Sequence, residues 1–508
     1  MDSLLQKKPV AVARSVMDAR EEYVLNGDFV LPEYCPDVAV VLKCVITPRI
    51  QSRQWNGGQL TLDGMAVVRV LYLDEERRCI RAAEFTQPLS CTLQGGSEPD
   101  RAPVQVTLTP EYANCRATSP RRLEVRGAFQ IRACAESRGE EELAQSAAGE
   151  GLYTRCAEAV VTAPRASAEK MLTIQEGLDI DAGLPEAEQL LWGECTAAVQ
   201  ECKLLTGKAI VKGQCHVHSL YTDDSVNGTV YPLHYTVPFS QILDLEGAEE
   251  GMLCIASVSI LSDTLRIAAN LDGKNGMLEV AAKLLVQCQL YTSETVPLVL
   301  DAYRTDCPVE LEHRDLVLHG LTGIRYDTAA VQRTLELPSD DLTEILDVWV
   351  QPGNPAGEIA GAQATLTGKM TVSMLVRDRD GMAAYYERPE DFRLEYPACG
   401  TTVQASCAVL GTDYSVVSGK LELRIMLAVT CICRDRTEYR TVQTLTPQTE
   451  QAYPPETATV KIYYADPGET VWDIARHCHT SPECICRENG ITQEAMAERA
   501  MLIVPMPG

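Results

Sequence analysis

Two groupings in the chain combine residue types that can hold a metal ion. His216-Val217-His218, preceded by Cys215, puts two imidazoles on one face of an extended segment, because strand side chains alternate. His477-Cys478-His479 with Cys484 and Cys486 gathers imidazoles and thiols in a short stretch, but without the Cys-x-x-Cys spacing of a zinc site. The paired acids Asp223-Asp224 and Asp340-Asp341 lie in polar, turn-like stretches and read as solvated loops. A phosphate-cradling Gly-x-x-x-x-Gly-Lys-Ser/Thr loop, a Gly-x-Ser-x-Gly elbow and a His-Glu-x-x-His helix are all missing from the sequence. The expectation is a protein without a catalytic centre, bound metal or cofactor.

The elements that carry these residues read as strands. Leu60 to Tyr72 and Val104 to Leu108 mix alternating and continuous apolar runs rich in Val, Leu and Tyr. The order of landmarks also repeats. Leu31-Pro32, Leu184-Pro185 and Leu337-Pro338 fall at equal spacing, each followed by a helix-compatible or mixed stretch. A strand with a shared glycine follows (Gly64, Gly213, Gly368), ending at Leu71-Tyr72, Leu220-Tyr221 and Leu375-Val376. Then come Pro88-Leu89, Pro238-Phe239 and Pro389 with Phe392, and finally Leu123-Glu124-Val125, Leu278-Glu279-Val280 and Leu421-Glu422-Leu423. Counted from the shared glycine, His216 and His218 match Val67 and Arg69, and Thr371 and Ser373. The opposite face is mainly apolar, so the His pair is expected on the polar side, away from the core.

Mainly β architecture is therefore expected, with three tandem β-rich units of domain size and a small C-terminal α+β module. The boundaries are 1–165, 166–320, 321–450, a Pro-containing linker at 451–458, and 459–508. Gln94 to Pro103 and Ser137 to Gly151 read as loops within the first unit. The length of 508 residues, 45% apolar and 23% charged, suits several globular domains, and five Phe imply aliphatic cores. With 45 Lys and Arg against 71 Asp and Glu, the net charge of −26 argues against nucleic acid or an anionic bilayer as the main partner. Twenty cysteines, several inside apolar runs, read as reduced thiols of a cytoplasmic protein. The N-terminus lacks a signal-peptide pattern, and no apolar run is long enough for a membrane helix.

The C-terminal stretch reads element by element. Val460, Ile462 and Tyr464 alternate with Lys461 and Tyr463 as a half-buried strand. Thr470 and Ser481 are helix N-caps, Asn489-Gly490 closes the second helix, and Met501 to Val504 is a last strand. Pro467-Gly468-Glu469-Thr470-Val471-Trp472, Ile474-Ala475, Asn489-Gly490-Ile491 and Leu502-Ile503-Val504-Pro505 closely resemble the LysM family, though Glu498-Arg499-Ala500 replaces its Pro-Gly-Gln turn. The resemblance implies a βααβ fold. It also implies a groove between Asp466, Pro467, Gly468, Glu469, Thr470 and Asn489, Gly490, Ile491, Thr492, for an N-acetylglucosamine-containing glycan or a protein.

Leu31-Pro32-Glu33-Tyr34-Cys35-Pro36-Asp37, followed by Val41-Leu42, Gly64 and Val70-Leu71-Tyr72, resembles the SPOCS domain of bacterial spore-coat proteins. The later units carry Glu186-Ala187-Glu188-Gln189 and Ser339-Asp340-Asp341-Leu342 instead, so the first unit bears the resemblance. SPOCS-type units followed by one LysM are similar to the SpoIVA-interacting coat proteins of clostridia. That implies a non-catalytic scaffold at the forespore surface in the mother cell, tethering a coat basement layer built by a SpoIVA-type coat morphogenetic ATPase. The alternative is a peptidoglycan-binding protein of the wall or spore cortex.

Overall fold

The computed structural model describes residues 4–506 apart from 77–78, 97–101, 226–227, 271–272, 340, 455–457 and 493–494. Asp340, part of the loop after Gln94 and part of the linker thus lie outside the described residues. Strands hold 76% of the residues and helices 4%, so the fold is mainly β. Among the described residues no helix is long and apolar enough to cross a membrane.

The first stretch runs β1 (Leu5–Val30), β2 (Val38–Asn56), β3 (Gln59–Asp74), β4 (Ile80–Gln94), β5 (Gln105–Ser119) and β6 (Arg122–Ala147). It makes two antiparallel sheets, ordered β1-β6-β5 and β2-β3-β4. Next come β7 (Leu152–Asp179), β8 (Gln189–Leu205), β9 (Lys208–Thr222), β10 (Val230–Asp244), β11 (Leu253–Ala268) and β12 (Met277–Arg304). Their order is β7-β12-β11 and β8-β9-β10. The third stretch runs β13 (Val309–Glu336), β14 (Leu342–Pro352), β15 (Ala356–Ala360), β16 (Gln363–Asp378), β17 (Ala383–Pro397), β18 (Thr402–Val417) and β19 (Lys420–Pro447). It forms β13-β19-β18 and a sheet in which β14, β15 and β17 all pair with β16. The same pairing order thus recurs along the chain.

In each stretch the two sheets share one aliphatic core, for example Leu62, Val68 and Val70 with Leu123, Val125 and Ile131. The run that ends β3, β9 and β16 is buried on both faces. One face fills its own core. The other meets its counterparts at a junction built from Leu71, Leu220, Leu375, Trp192 and Trp349. This double burial explains why these strands read as continuous rather than alternating apolar runs. The outer halves of the long strands pack together as well, through Val10, Leu143, Val161, Leu298 and Leu318. Glu136 of β6 accepts from Tyr291 of β12 at 2.8 Å and pairs with Arg434 of β19 at 3.0 Å, joining all three stretches.

The landmark glycines sit opposite Leu89, Phe239 and Phe392 on the neighbouring strand. A Cβ on Gly213 would lie 2.3 Å from the Ala198 oxygen and 2.4 Å from the Phe239 ring. The missing side chain is what lets the aromatic ring lie across the ladder.

Several expectations differ from the structure. The helix-compatible or mixed stretches after the Leu-Pro landmarks, Val38–Asn56, Gln189–Leu205 and Leu342–Pro352, are strands, because ladder partners on β3, β9 and β16 take up their backbone groups. Ser137 to Ala147 is strand rather than loop, paired with the start of β1. The cuts expected at 165 and 320 fall inside β7 and β13, and the turns between one set of sheets and the next lie at 148–151 and 305–308. Cys399 and Cys433 form a disulfide, where thiols were expected, and the other eighteen cysteines remain thiols.

The C-terminal stretch comprises β20 (Val460–Ala465), α1 (Val471–Cys478), α2 (Pro482–Asn489) and β21 (Ala500–Pro505), with β20 antiparallel to β21. Thr470 caps α1 by accepting from the Asp473 amide at 3.1 Å, and Ser481 caps α2 through the Cys484 amide. Gly490 closes α2 in the left-handed conformation, φ 64°.

Candidate functional site

The two loops expected to flank a groove are largely occupied by their own bonds. Gly468, at φ 92°, donates its amide to the Met496 oxygen at 2.9 Å, and Met496 donates back to the Glu469 oxygen at 2.9 Å. The Glu469 carboxylate accepts from the Asp466 amide at 2.8 Å and from the Tyr463 hydroxyl at 3.0 Å, which raises the tyrosine's pKa. Arg499, in the segment that departs from the LysM pattern, pairs with Asp466 at 2.7 Å. Pro467 sits at the exposed turn and Thr470 is spent as the cap.

On the other loop, Asn489 makes three bonds. Its amide nitrogen donates to the Ile485 and Ile503 oxygens at 2.8 and 2.7 Å, and its oxygen accepts from the Ile503 amide at 2.7 Å. Asn489 therefore stitches α2 to β21, with no donor left for a sugar. Gly490 is the cap, Ile491 is half-buried and Thr492 is exposed.

The alternation along β20 has the opposite phase to the expected one. Tyr463 and Ala465 face the helices, with Leu502 and Val504 of β21. Val460, Ile462, Tyr464, Met501 and Ile503 face outward, each 43–74% exposed. Ile462 pairs with Ile503 and Tyr464 with Met501, so these side chains form one continuous apolar face. Five large apolar groups on one side of so small a module make a contiguous exposed patch rather than scattered exposure. Sequence alternation held the signal but not its direction, since both sets of positions carry apolar or aromatic residues.

The module is seated on the second stretch. Trp472 and Arg476 of α1 reach Asp301 of β12, and the Tyr303 hydroxyl donates to the Thr480 oxygen at 2.7 Å. Tyr453, just before the described part of the linker ends, stacks on His479 at 3.7 Å. The C-terminal module is thus docked against β12.

One guanidinium supplies much of the anchoring of the segment Leu31 to Asp37. Arg121 donates to the Leu31, Pro32 and Cys35 oxygens and to the Asp37 carboxylate at 2.8 Å. Glu33 and Tyr34 point to solvent, Tyr34 most of all, beside a shallow pocket that includes Cys35, Pro36, Tyr72, Asp74 and Arg81. Burial pushes the Cys35 thiol upward. The Tyr72 hydroxyl donates to the Pro36 oxygen at 3.1 Å, and Tyr221 does the same to Pro185 at 3.0 Å. That bond aligns Pro185 with Pro36, not with Pro32 as the Leu-Pro landmark implies.

The two sequence groupings for metal are not brought together as written. His216 and His218 are both buried, because the face taken as polar and outward packs into the junction between sheets. Cys478 lies in the module core, while His477 meets Tyr463 edge-on and Cys484 and Cys486 are half-buried. The donors that do converge among the described residues are Cys202, Cys254 and Cys288, and His218, His234 and Asp347. His234 and Asp347 lay outside any sequence motif. Only the ladder opposite His218 and the meeting of β9 with β14 place them there.

Compared with known proteins, residues 186–264 match the family model described as SipL, SPOCS domain. No curated protein and no solved structure matches the chain. The match falls on β8 to β11, in the second stretch, whereas the sequence motif placed the resemblance on the first. The tyrosine-to-proline bond and the strand order are common to both stretches, and they recur where the Tyr-Cys-Pro-Asp motif does not. The chain thus carries a SPOCS-like segment, similar to that of SipL, in its central set of sheets.

Proposed function

We propose that the protein is a non-catalytic morphogenetic scaffold of endospore coat assembly, built of three related SPOCS-like units and a C-terminal LysM-type module. In this reading it works at the forespore surface in the mother cell and links a SpoIVA-type coat morphogenetic ATPase to the forespore. The observation that carries a protein partner is the outward apolar face of Val460, Ile462, Tyr464, Met501 and Ile503. The SPOCS match at 186–264 supports the sporulation setting. The bonds already made by Asn489 and Glu469 favour protein over glycan on this module. Several modest contacts on one chain gain strength by raising one another's effective concentration on a polymeric layer.

The test is retention of a purified SpoIVA-type ATPase by the full chain, beside chitin and muropeptides. Ile462→Asp with Tyr464→Asp is expected to abolish retention while the fold persists by circular dichroism. Saturable sugar binding without ATPase binding would overturn the reading in favour of a wall or cortex protein.

A further inference from the structure

The junction between the second and third stretches collects polar groups that a scaffold does not require. His218 on β9 and His234 on β10 are directly opposite in the ladder, with rings stacked 4.5 Å apart. Asp347 on β14 is wholly buried and brings Oδ2 to 2.8 Å from His218 Nε2. Its Oδ1 accepts from the Val348 amide at 2.8 Å, which fixes the carboxylate's orientation. One ring nitrogen of each histidine and one carboxylate oxygen lie within 4.8 Å of one another. His216 belongs to the same stack, 6.0 Å from His234, and its buried Nδ1 has no partner among the described residues.

We propose that His218, His234 and Asp347 bind a divalent transition-metal ion of the zinc type, pinning β9 and β10 to β14. Two imidazoles and a carboxylate are the donor set such an ion favours over calcium or magnesium. Metal–ligand bonds of about 2.0–2.2 Å separate tetrahedral donors by roughly 3.4 Å. The His218–Asp347 contact must therefore open by about half an ångström while His234 closes in, a change within side-chain reach. The ion replaces the proton shared by Nε2 and Oδ2, and that proton leaves to solvent. His234 is exposed, so the ion has a way in, and the Val348 amide supplies the outer hydrogen bond that holds a ligating carboxylate. Lys43 lies in the same junction, and its positive charge opposes a dication, which keeps the site weaker than a purely anionic one.

Cobalt(II) titration of the chelator-stripped full chain tests the site. One equivalent is expected to give visible ligand-field bands without the near-ultraviolet charge-transfer band of a thiolate. His234→Ala and Asp347→Asn are each expected to weaken binding at least about tenfold, whereas Cys202→Ser leaves it unchanged. Because His234 is exposed, its variant keeps the fold, and zinc should raise the melting temperature of the parent but not of that variant. Absence of bound cobalt, a thiolate band pointing to Cys202, Cys254 and Cys288, or binding by both ligand variants as tight as the parent's would each overturn the proposal.

Discussion

Trp472 Nε1 donates to Asp301 Oδ2 at 2.9 Å, so the C-terminal module is bolted to β12 through a residue at the start of its first helix. Arg476 reaches the same oxygen at 2.7 Å, and Tyr303 packs edge-on against the Trp472 ring at 4.9 Å. One carboxylate thus orients α1 while an aromatic pair supplies the contact area. The seat leaves β20 and β21 facing away, which is why their outer apolar face stays open.

Asp301→Ala is expected to weaken this seat by about 1.5–3 kcal/mol, the range for a hydrogen bond to a charged group. Hydrogen exchange should report it as roughly ten- to hundredfold faster exchange of the α1 and α2 amides. Unchanged protection would show that Tyr303 and Tyr453 hold the module without the carboxylate.

The phase of β20 makes a second contrast. Ile462→Asp is expected to shift unfolding stability by less than about 0.5 kcal/mol, because the side chain stands in solvent. Leu502→Ala, one ladder step away on the buried side, is expected to cost about 2–4 kcal/mol. Urea unfolding of the two variants decides the phase; a large loss from Ile462→Asp would put that residue in the core.

Gly213→Ala is expected to cost about 2–3 kcal/mol, the scale of overpacking, because its Cβ meets a backbone oxygen and the Phe239 ring. Gly183→Ala is a control, with its nearest neighbour 3.6 Å away and no change expected beyond about 0.5 kcal/mol. Equal melting temperatures for the two would show that β9 and β8 can part without loss.

Strand content, the shared glycines and the helix caps Thr470 and Ser481 were legible because each rests on local chemistry. Gly213 is needed by one ring on the next strand, and a cap bonds an amide three residues on. What was not legible depends on neighbours far along the chain. His218 reads as polar and outward until the sheet holding Trp349 and Asp347 covers it. Val460, Ile462 and Tyr464 read as inward because the sequence does not say that Tyr463 and Ala465 meet the helices. The Leu-Pro landmark misplaced the register for a similar reason, since Pro185 owes its position to Tyr221.

Cys399 and Cys433 close a loop of sequence separation 34. Chain-entropy arguments give such a crosslink about 3–4 kcal/mol. The double variant Cys399→Ala/Cys433→Ala is therefore expected to lose that much stability under oxidising conditions and little in excess reductant. Equal stability of parent and variant without reductant would mean the bond does not persist in solution.

Lys43 supplies a prediction with a definite sign. Burial pushes its pKa down from 10.5 to about 8, with Glu194, Glu387 and Asp347 opposing the shift, while its ammonium lies 4.3 Å from the Trp349 ring centre. A lysine that binds its proton less well when folded destabilises the fold wherever the unfolded chain stays charged. The penalty is full below about pH 8 and fades as pH rises towards 10.5, where the unfolded chain also gives up the proton. Lys43→Met keeps the volume and removes the charge, so it is expected to be more stable than the parent at pH 7.5. Its advantage should shrink steadily up to pH 10. Taking the difference between the two proteins cancels the tyrosines and thiols that titrate in the same window. A constant advantage across that range would show that Lys43 keeps its proton when folded, its charge held by the two indoles and the nearby carboxylates.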